Sequence, residues 1–154
     1  MNIKNRIPPQ LYELLDGSNL AAKQQEAMML LTVTEDGWPH VAMISVGEIV
    51  ALSPDTLRLG LWSGTVTTGN ILRSGKATLC VFYAGTAMYS RLALSPLEAL
   101  ADAKHPRQRF EARVVSSRAD TAQYADILGG VQIALHDPAA VIARWQETVA
   151  DLHK

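Results

Sequence analysis

Apolar residues alternate with period two over most of this chain and recur near 3.6 only toward its two ends. In "MMLLTVT", Met29, Leu31 and Val33 oppose Leu30, Thr32 and Thr34, and in "PHVAMISV" Val41 and Met43 alternate with His40 and Ala42. Successive strand side chains point to opposite faces, so this alternation predicts two strands and pins their register. Between them, Asp36-Gly37 in "EDGW" predicts a mirror-image two-residue turn, whose twist suits paired strands. "EIVAL" and "TLRLGLW" repeat the arrangement around Ser53-Pro54-Asp55, with Leu57, Leu59 and Leu61 opposed to Arg58, Gly60 and Trp62. Proline there suits the first central position of a turn.

Further strands are predicted at "KATLCVFY", "TAMYSRLAL" and "RFEARVVSS", the last with Phe110, Ala112 and Val114 on one face. "NILRSG" reads as a short helical turn, and "SPLEALADAKHPRQ" as a helix that Pro106 interrupts. Near the start, "PPQLYELLDG" predicts a short helix with Pro9 early, Leu11, Leu14 and Leu15 on one side, and Gly17 as a left-handed exit. "SNLAAKQQEA" reads as more helix or as a linker. At the end, Asp137 can cap and Pro138 can open a helix whose Ile142, Trp145, Val149 and Leu152 recur at helical spacing. That stripe suits the chain's own barrel and a partner subunit equally well. Six or seven strands without βα alternation predict a mainly β fold, a small antiparallel barrel with short flanking helices and a C-terminal helix.

A length of 154 residues matches one core, so residues 1–154 are expected to form a single domain. Hydrophobic residues make up 48% and charged residues 19%, with a net charge of -1, which excludes a disordered chain and leaves room for subunit burial. Arg58, Arg73, Lys76 and Arg91 are scattered rather than grouped in a basic tract, so nucleic acid is not an expected partner. No run of about 18 apolar residues occurs and "MNIKNRIPPQ" lacks an apolar signal core, so no membrane association is expected and the expected location is cytoplasmic. Cys80 alone cannot form an internal disulfide, and within "ATLCVFY" it reads as a buried thiol. His40, His105, His136 and His153 show no metal-ligand spacing, and His40 reads as a surface or interface imidazole. No nucleophile elbow, Walker loop or dinucleotide fingerprint is present, so no catalytic residue is named.

The remaining chemistry lies in "LWSGTVTTGN". Backbone N–H groups around Gly64 and Gly69, together with the hydroxyls of Ser63, Thr65, Thr67 and Thr68, can donate to phosphate oxygens. A helix start at Asn70 would add a partial positive field, and Trp62 offers a flat surface to an aromatic ring. A polar loop between strands, beside a buried or interface tryptophan, is the alternative.

From residue 28 to 83, the order is an apolar strand, the "DGWPHV" hairpin, a strand ending in "WSGT", an Asn-Ile-Leu helix and another strand. This order resembles the pyridoxamine 5'-phosphate oxidase-related, FMN-binding split-barrel family. The resemblance implies a homodimeric split barrel with FMN between subunits. It implies cofactor contacts from Trp62, Ser63, Thr65, Thr67, Thr68 and Asn70, and from Arg91 on a later strand. Members that use this loop commonly carry Lys or Arg in its later half, where this chain has Thr67-Thr68-Gly69. Neutral donors bond to phosphate without neutralising it. Either Arg58, Arg73 or Arg91 therefore compensates, or FMN is bound weakly or not at all. The family implies a flavin-dependent oxidoreductase acting on an unidentified small molecule. The alternative is a non-enzymatic split-barrel module that binds another small ligand or serves as a structural dimer.

Overall fold

Period-two patterning becomes a sheet of nine strands in the computed structural model, which describes residues 2–154. The chain runs β1 (Asn2–Lys4), α1 (Pro9–Leu15), α2 (Leu20–Lys23), β2 (Glu26–Val33), β3 (Pro39–Ser45), β4 (Ile49–Ser53) and β5 (Thr56–Leu61). It continues with α3 (Val66–Ser74), β6 (Lys76–Tyr83), β7 (Thr86–Pro96), β8 (Gln108–Asp120), β9 (Val131–Gln132) and α4 (Pro138–Leu152). The strand order is β3-β2-β6-β7-β8-β5-β4, with β1 added to β8 and β9 to β2. All pairings are antiparallel, and the sheet curls into a half-barrel. This is the expected class of fold, with two short strands, β1 and β9, added to the expected inventory.

The inner face carries the core. Met28 and Leu30 on β2, Leu57 and Leu59 on β5, Leu79 on β6 and Phe110, Ala112 and Val114 on β8 are buried with Leu11, Leu14 and Leu15 of α1. The stripe of α4 settles on the same core: Trp145, Val149 and Leu152 are buried and Ile142 packs at the margin. Asp137 caps that helix by accepting from the Ala140 N–H at 3.3 Å. The C-terminal stripe is thus used within the chain.

The outer face is apolar too. Register places Met43, Met29, Cys80 and Tyr89 in one row across β3, β2, β6 and β7. On this side Val33, Val41, Met43, Phe82, Val115 and Val131 stay exposed. Cys80 belongs to this row and is half-buried rather than a core thiol; partial burial pushes its pKa up, which disfavours the thiolate.

Three local expectations are corrected. The β2–β3 connection is a three-residue loop, not a two-residue one: Thr34 N–H donates to Trp38 O at 2.8 Å and Gly37 N–H to Thr34 O at 2.9 Å. Gly37 alone takes a positive φ, +90°, the pattern of an ordinary turn followed by a left-handed residue. Residues 97–107 form no helix, because their backbone is drawn into the hairpin between β7 and β8. Leu97 N–H donates to Arg109 O at 2.9 Å, and Arg109 Nη1 donates to Glu98 O at 2.9 Å. The helical turn expected at Asn70 is a nine-residue helix, α3, which begins at Val66.

The β3–β4 turn is pinned by Glu48, whose Oε1 accepts from Ser45 N–H at 3.0 Å and Ser45 Oγ at 2.9 Å. Burial raises the Glu48 pKa above its ordinary value, opposed by the Ser45 bonds and by Arg107 and Arg144. A carboxyl raised in the folded state adds stability that is full below its unfolded pKa and is lost as pH rises through the folded one. Glu48→Gln keeps the acceptor and removes the titration. Its stability relative to the parent protein is expected to increase as pH rises above the ordinary glutamate range, read from urea midpoints across that window. Parallel midpoints for the two proteins at every pH would contradict this.

Candidate functional site

The segment from Trp62 to Asn70 is built as a helix start. Thr65 is extended (φ -83°, ψ 163°) and its side chain accepts from Thr68 N–H at 3.1 Å. Thr68 Oγ1 donates to Trp62 O at 2.7 Å. Two of the hydroxyls that suggested a phosphate cradle are therefore used locally, Thr65 to cap a free N–H at the start of α3 and Thr68 to tie the helix back to Trp62. This cap explains why β-branched Val66-Thr67-Thr68 and Gly69 sit in a helix that their propensities alone would not favour. Thr65→Ala is expected to cost about 1 kcal/mol of stability, measured by urea denaturation. A negligible change would show that the cap is dispensable.

The rest of α3 is tied to β2. Asn70, buried, donates through Nδ2 to Thr32 Oγ1 at 3.0 Å and accepts from Arg73 Nη2 at 3.3 Å. The same Arg73 nitrogen donates to Val33 O. Gly75 ends the helix at φ +68° and donates to Ile71 O at 2.8 Å, a conformation that glycine adopts without steric cost. The chain then turns directly into β6, so Ser74 and Lys76 stand beside the outer face.

Two clefts flank this helix. One, of ≈ 770 Å³, is lined by Thr34, Glu35, Asp36, Val66, Gly69, Asn70 and Arg73. The other, of ≈ 570 Å³, lies over the outer face between Leu31, Thr32 and Val33 of β2, Ser74, Lys76 and Thr78, Arg91 and Ala93 of β7, and Val115. The first sets two carboxylates against one guanidinium. The second presents two cations, Lys76 and Arg91, and no carboxylate in its lining, beside an apolar wall.

The expected site residues fall into three groups. The exposed Thr65 and the buried Thr68 and Asn70 are engaged in hydrogen bonds within the chain, and Thr67 is buried. Trp62 and Ser63 are exposed, and the Arg107 guanidinium lies 3.7 Å from the centre of the Trp62 ring, a cation–π contact that already covers one ring face. Arg91 lies apart from both groups, in the outer-face cleft, opposite Thr78 and Ser116 in register. Of the three arginines considered as partners for phosphate, Arg58 is committed elsewhere. Its Nε meets Glu111 Oε1 at 3.2 Å and its Nη1 donates to Leu152 O at 3.0 Å. Arg73 holds α3 to β2.

Lys76, which lines the outer-face cleft, was not among the expected site residues. Its signal was its place in "SGKATL", immediately after a glycine helix exit and two residues before Thr78, which puts both on the same face of β6. No three His, Cys, Asp or Glu side chains converge into a metal-binding group among the described residues. No helix among them is long and apolar enough to cross a membrane.

A phosphate with an attached aromatic ring fits this donor set, since two cations and the Thr78 hydroxyl line the same cleft as an apolar wall. The curled antiparallel sheet and its strand order are shared with several solved structures. A protein from Lactobacillus delbrueckii described as a candidate pyridoxamine 5'-phosphate oxidase superposes with a TM-score of 0.58 at 19% identity, over 74% of this chain and 94% of that one. A substituted form of HupZ from Group A Streptococcus gives 0.57 at 14% identity, over 73% and 98% of the two chains. The flavin reductase of a styrene monooxygenase from Pseudomonas putida S12 gives 0.50 at 16%, over 66% and 85%. No protein-family model matches the sequence. The chain is 51% identical over 150 residues to the uncharacterised protein YclD of Bacillus subtilis (strain 168), across 97% of each, and it belongs to that protein's family.

Proposed function

We propose that the 154-residue chain is one FMN-binding domain, that it works as a homodimer, and that FMN occupies the outer-face cleft. The observation that carries this reading is the pairing of Lys76 and Arg91 with an apolar wall in a cleft whose lining has no carboxylate. Lys76 and Arg91 would hold the phosphate, with Thr78 as a neutral donor, and Leu31, Val33 and Val115 would border the ring. The basic partner absent from the Trp62–Asn70 loop is thus supplied from β6 and β7, while the loop's threonines hold α3 in place. Trp62 and Ser63, both exposed, remain available to a bound molecule.

A bound flavin would supply two-electron redox chemistry, and this chain would bind it, orient it and limit water around it. Support comes from the fold shared with a protein named as a flavin reductase and from the family resemblance of residues 28–83. We propose a flavin-dependent oxidoreductase acting on a small molecule in the cytoplasm. The test is the flavin absorbance of protein purified without added cofactor, followed by titration with FMN. Near-stoichiometric uptake is expected, and failure of both would remove the cofactor assignment.

One observation favours a second reading. The Thr65 and Thr68 hydroxyls are spent on the helix cap, so the loop offers less of the neutral cradle the family resemblance implied. A different phosphorylated aromatic ligand on a non-enzymatic module would still satisfy Lys76 and Arg91. Mass spectrometry of small molecules released from the gently purified protein separates the two, flavin supporting the first reading and another retained ligand the second.

A further inference from the structure

Three segments distant in sequence meet beside the first half of α4. Strand β9 pairs Val131 with Ala27 of β2, and the next residue but one, Ile133, donates its N–H to Gln25 O at 2.8 Å. The chain is thereby held along β2 until it enters α4. From the other side comes the β3–β4 turn, where Gly47 lies so close to Trp145 that an added Cβ would stand 2.1 Å from the indole. Between these pieces lies a further cleft, of ≈ 260 Å³. Met43, Ile133, Leu135, Val141 and Trp145 give it apolar walls, and its lining carries two charged residues, Glu48 and Arg144.

These two charges attract each other through space, yet no ion pair joins them among the described residues. Glu48 uses Oε1 for Ser45, and Arg144 is exposed on α4. Arg107 also acts on Glu48, but it is stacked on Trp62 and is not part of the lining. Burial raises the Glu48 pKa, so its carboxylate is incompletely solvated, and a cation placed against it would offset that cost.

The pairing selects an occupant by exclusion. A simple carboxylate would meet Arg144 but be opposed by Glu48, and a simple amine would meet Glu48 but be opposed by Arg144. A molecule that carries both charges close together, on a short apolar tail, satisfies the whole lining. Its tail is short because the cleft is smaller than the roughly 300–1,000 Å³ of drug-sized ligand sites.

We infer that this cleft binds a free apolar α-amino acid about the size of leucine. Its ammonium group would sit against Glu48 and its carboxylate on the Arg144 guanidinium, whose planar fork matches two carboxylate oxygens. Its side chain would lie among Met43, Ile133, Leu135 and Val141. No residue lines both this cleft and the outer-face cleft, so the inference does not rest on the flavin reading.

The test is calorimetric titration of the full chain with L-leucine, with isocaproate, which lacks the ammonium, and with isoamylamine, which lacks the carboxylate. Leucine should bind saturably, and each truncated ligand at least tenfold more weakly, as the loss of one charge-assisted contact requires. Two variants, checked for folding by far-UV circular dichroism, cross the comparison. Arg144→Gln, at an exposed position, should weaken leucine at least tenfold and leave isoamylamine as tight or tighter. Glu48→Gln, which keeps an acceptor for Ser45, should weaken leucine similarly and tighten isocaproate. Absence of leucine binding, equal affinities for the three ligands, or leucine affinity unchanged in a folded Arg144→Gln variant would each overturn the assignment. Unchanged leucine affinity in Glu48→Gln would overturn it as well, because the ammonium would then have no partner in the lining.

Discussion

Replacing Lys76 and Arg91 together by serine is expected to weaken FMN binding at least a hundredfold while changing riboflavin binding by no more than a few-fold. Each cation would make a charge-assisted bond to a phosphate oxygen, a contact worth about 1.5–3 kcal/mol. At about 1.4 kcal/mol per factor of ten, losing both corresponds to roughly two to four decades. Riboflavin has the ring without the phosphate, so it reads the apolar wall alone. Both side chains are exposed on strands whose backbone pairing does not involve them, so the variant should melt close to the parent protein. The contrast between ligands makes the measurement specific, because general damage to the cleft would weaken both equally. Equal losses for FMN and riboflavin, or no loss for either, would move the phosphate away from Lys76 and Arg91. Raising ionic strength should weaken FMN binding to the parent more than to the variant, since exposed charge pairs are the ones salt screens.

The sheet was legible because its cause is local and repetitive. Alternation in "MMLLTVT", "TLRLGLW" and "RFEARVVSS" fixes which residues face inward, and the buried Leu57, Leu59, Phe110, Ala112 and Val114 follow from it. The Asp137-Pro138 start of α4 was legible for the same reason, since a cap needs only a few neighbouring residues. What failed depended on contacts distant in sequence. The segment 97–107 has helical composition, but Arg109, eleven residues beyond Glu98, takes its carbonyl. Helix α3 was read too short because Val66, Thr67, Thr68 and Gly69 are poor helix formers, and the Thr65 cap and the Asn70 bond to Thr32 were invisible without the fold.

The candidate site shows the same division. "WSGTVTTGN" suggested a phosphate cradle, yet its Thr65 and Thr68 hydroxyls cap α3, and the cations of the proposed cleft lie on β6 and β7. Lys76 and Arg91 come together only because β6 and β7 pair with Thr78 opposite Arg91 and Lys76 opposite Ala93. That juxtaposition belongs to register across a hairpin, which no spacing within one segment reports. Arg91 was reachable from the family resemblance, whereas Lys76 required the parity of β6 counted from Gly75.

Gly47→Ala is expected to lower stability by about 3 kcal/mol, at the upper end of the usual cost of overpacking. Gly47 is buried in the β3–β4 turn, and a Cβ there would stand 2.1 Å from Trp145 Cγ and 2.3 Å from its Cδ1. No side-chain rotation of Ala relieves such a contact, so the indole and the α4 backbone that carries it must shift. Gly47 does not have a positive φ, which leaves steric overlap as the cause. For a chain of this size, about 3 kcal/mol corresponds to a fall in melting temperature of roughly 6–12 °C. Trp145→Ala alone should also be costly, about 3–5 kcal/mol for a large aromatic lost from a core. In the double variant the overlap no longer exists, so the two losses should fall short of additive by most of the Gly47→Ala cost. Thermal melts of the parent, both single variants and the double variant complete the cycle. Full additivity would mean that the indole does not rest on Gly47, and α4 would then have to be held over β4 and β5 by Val149 and Leu152 instead.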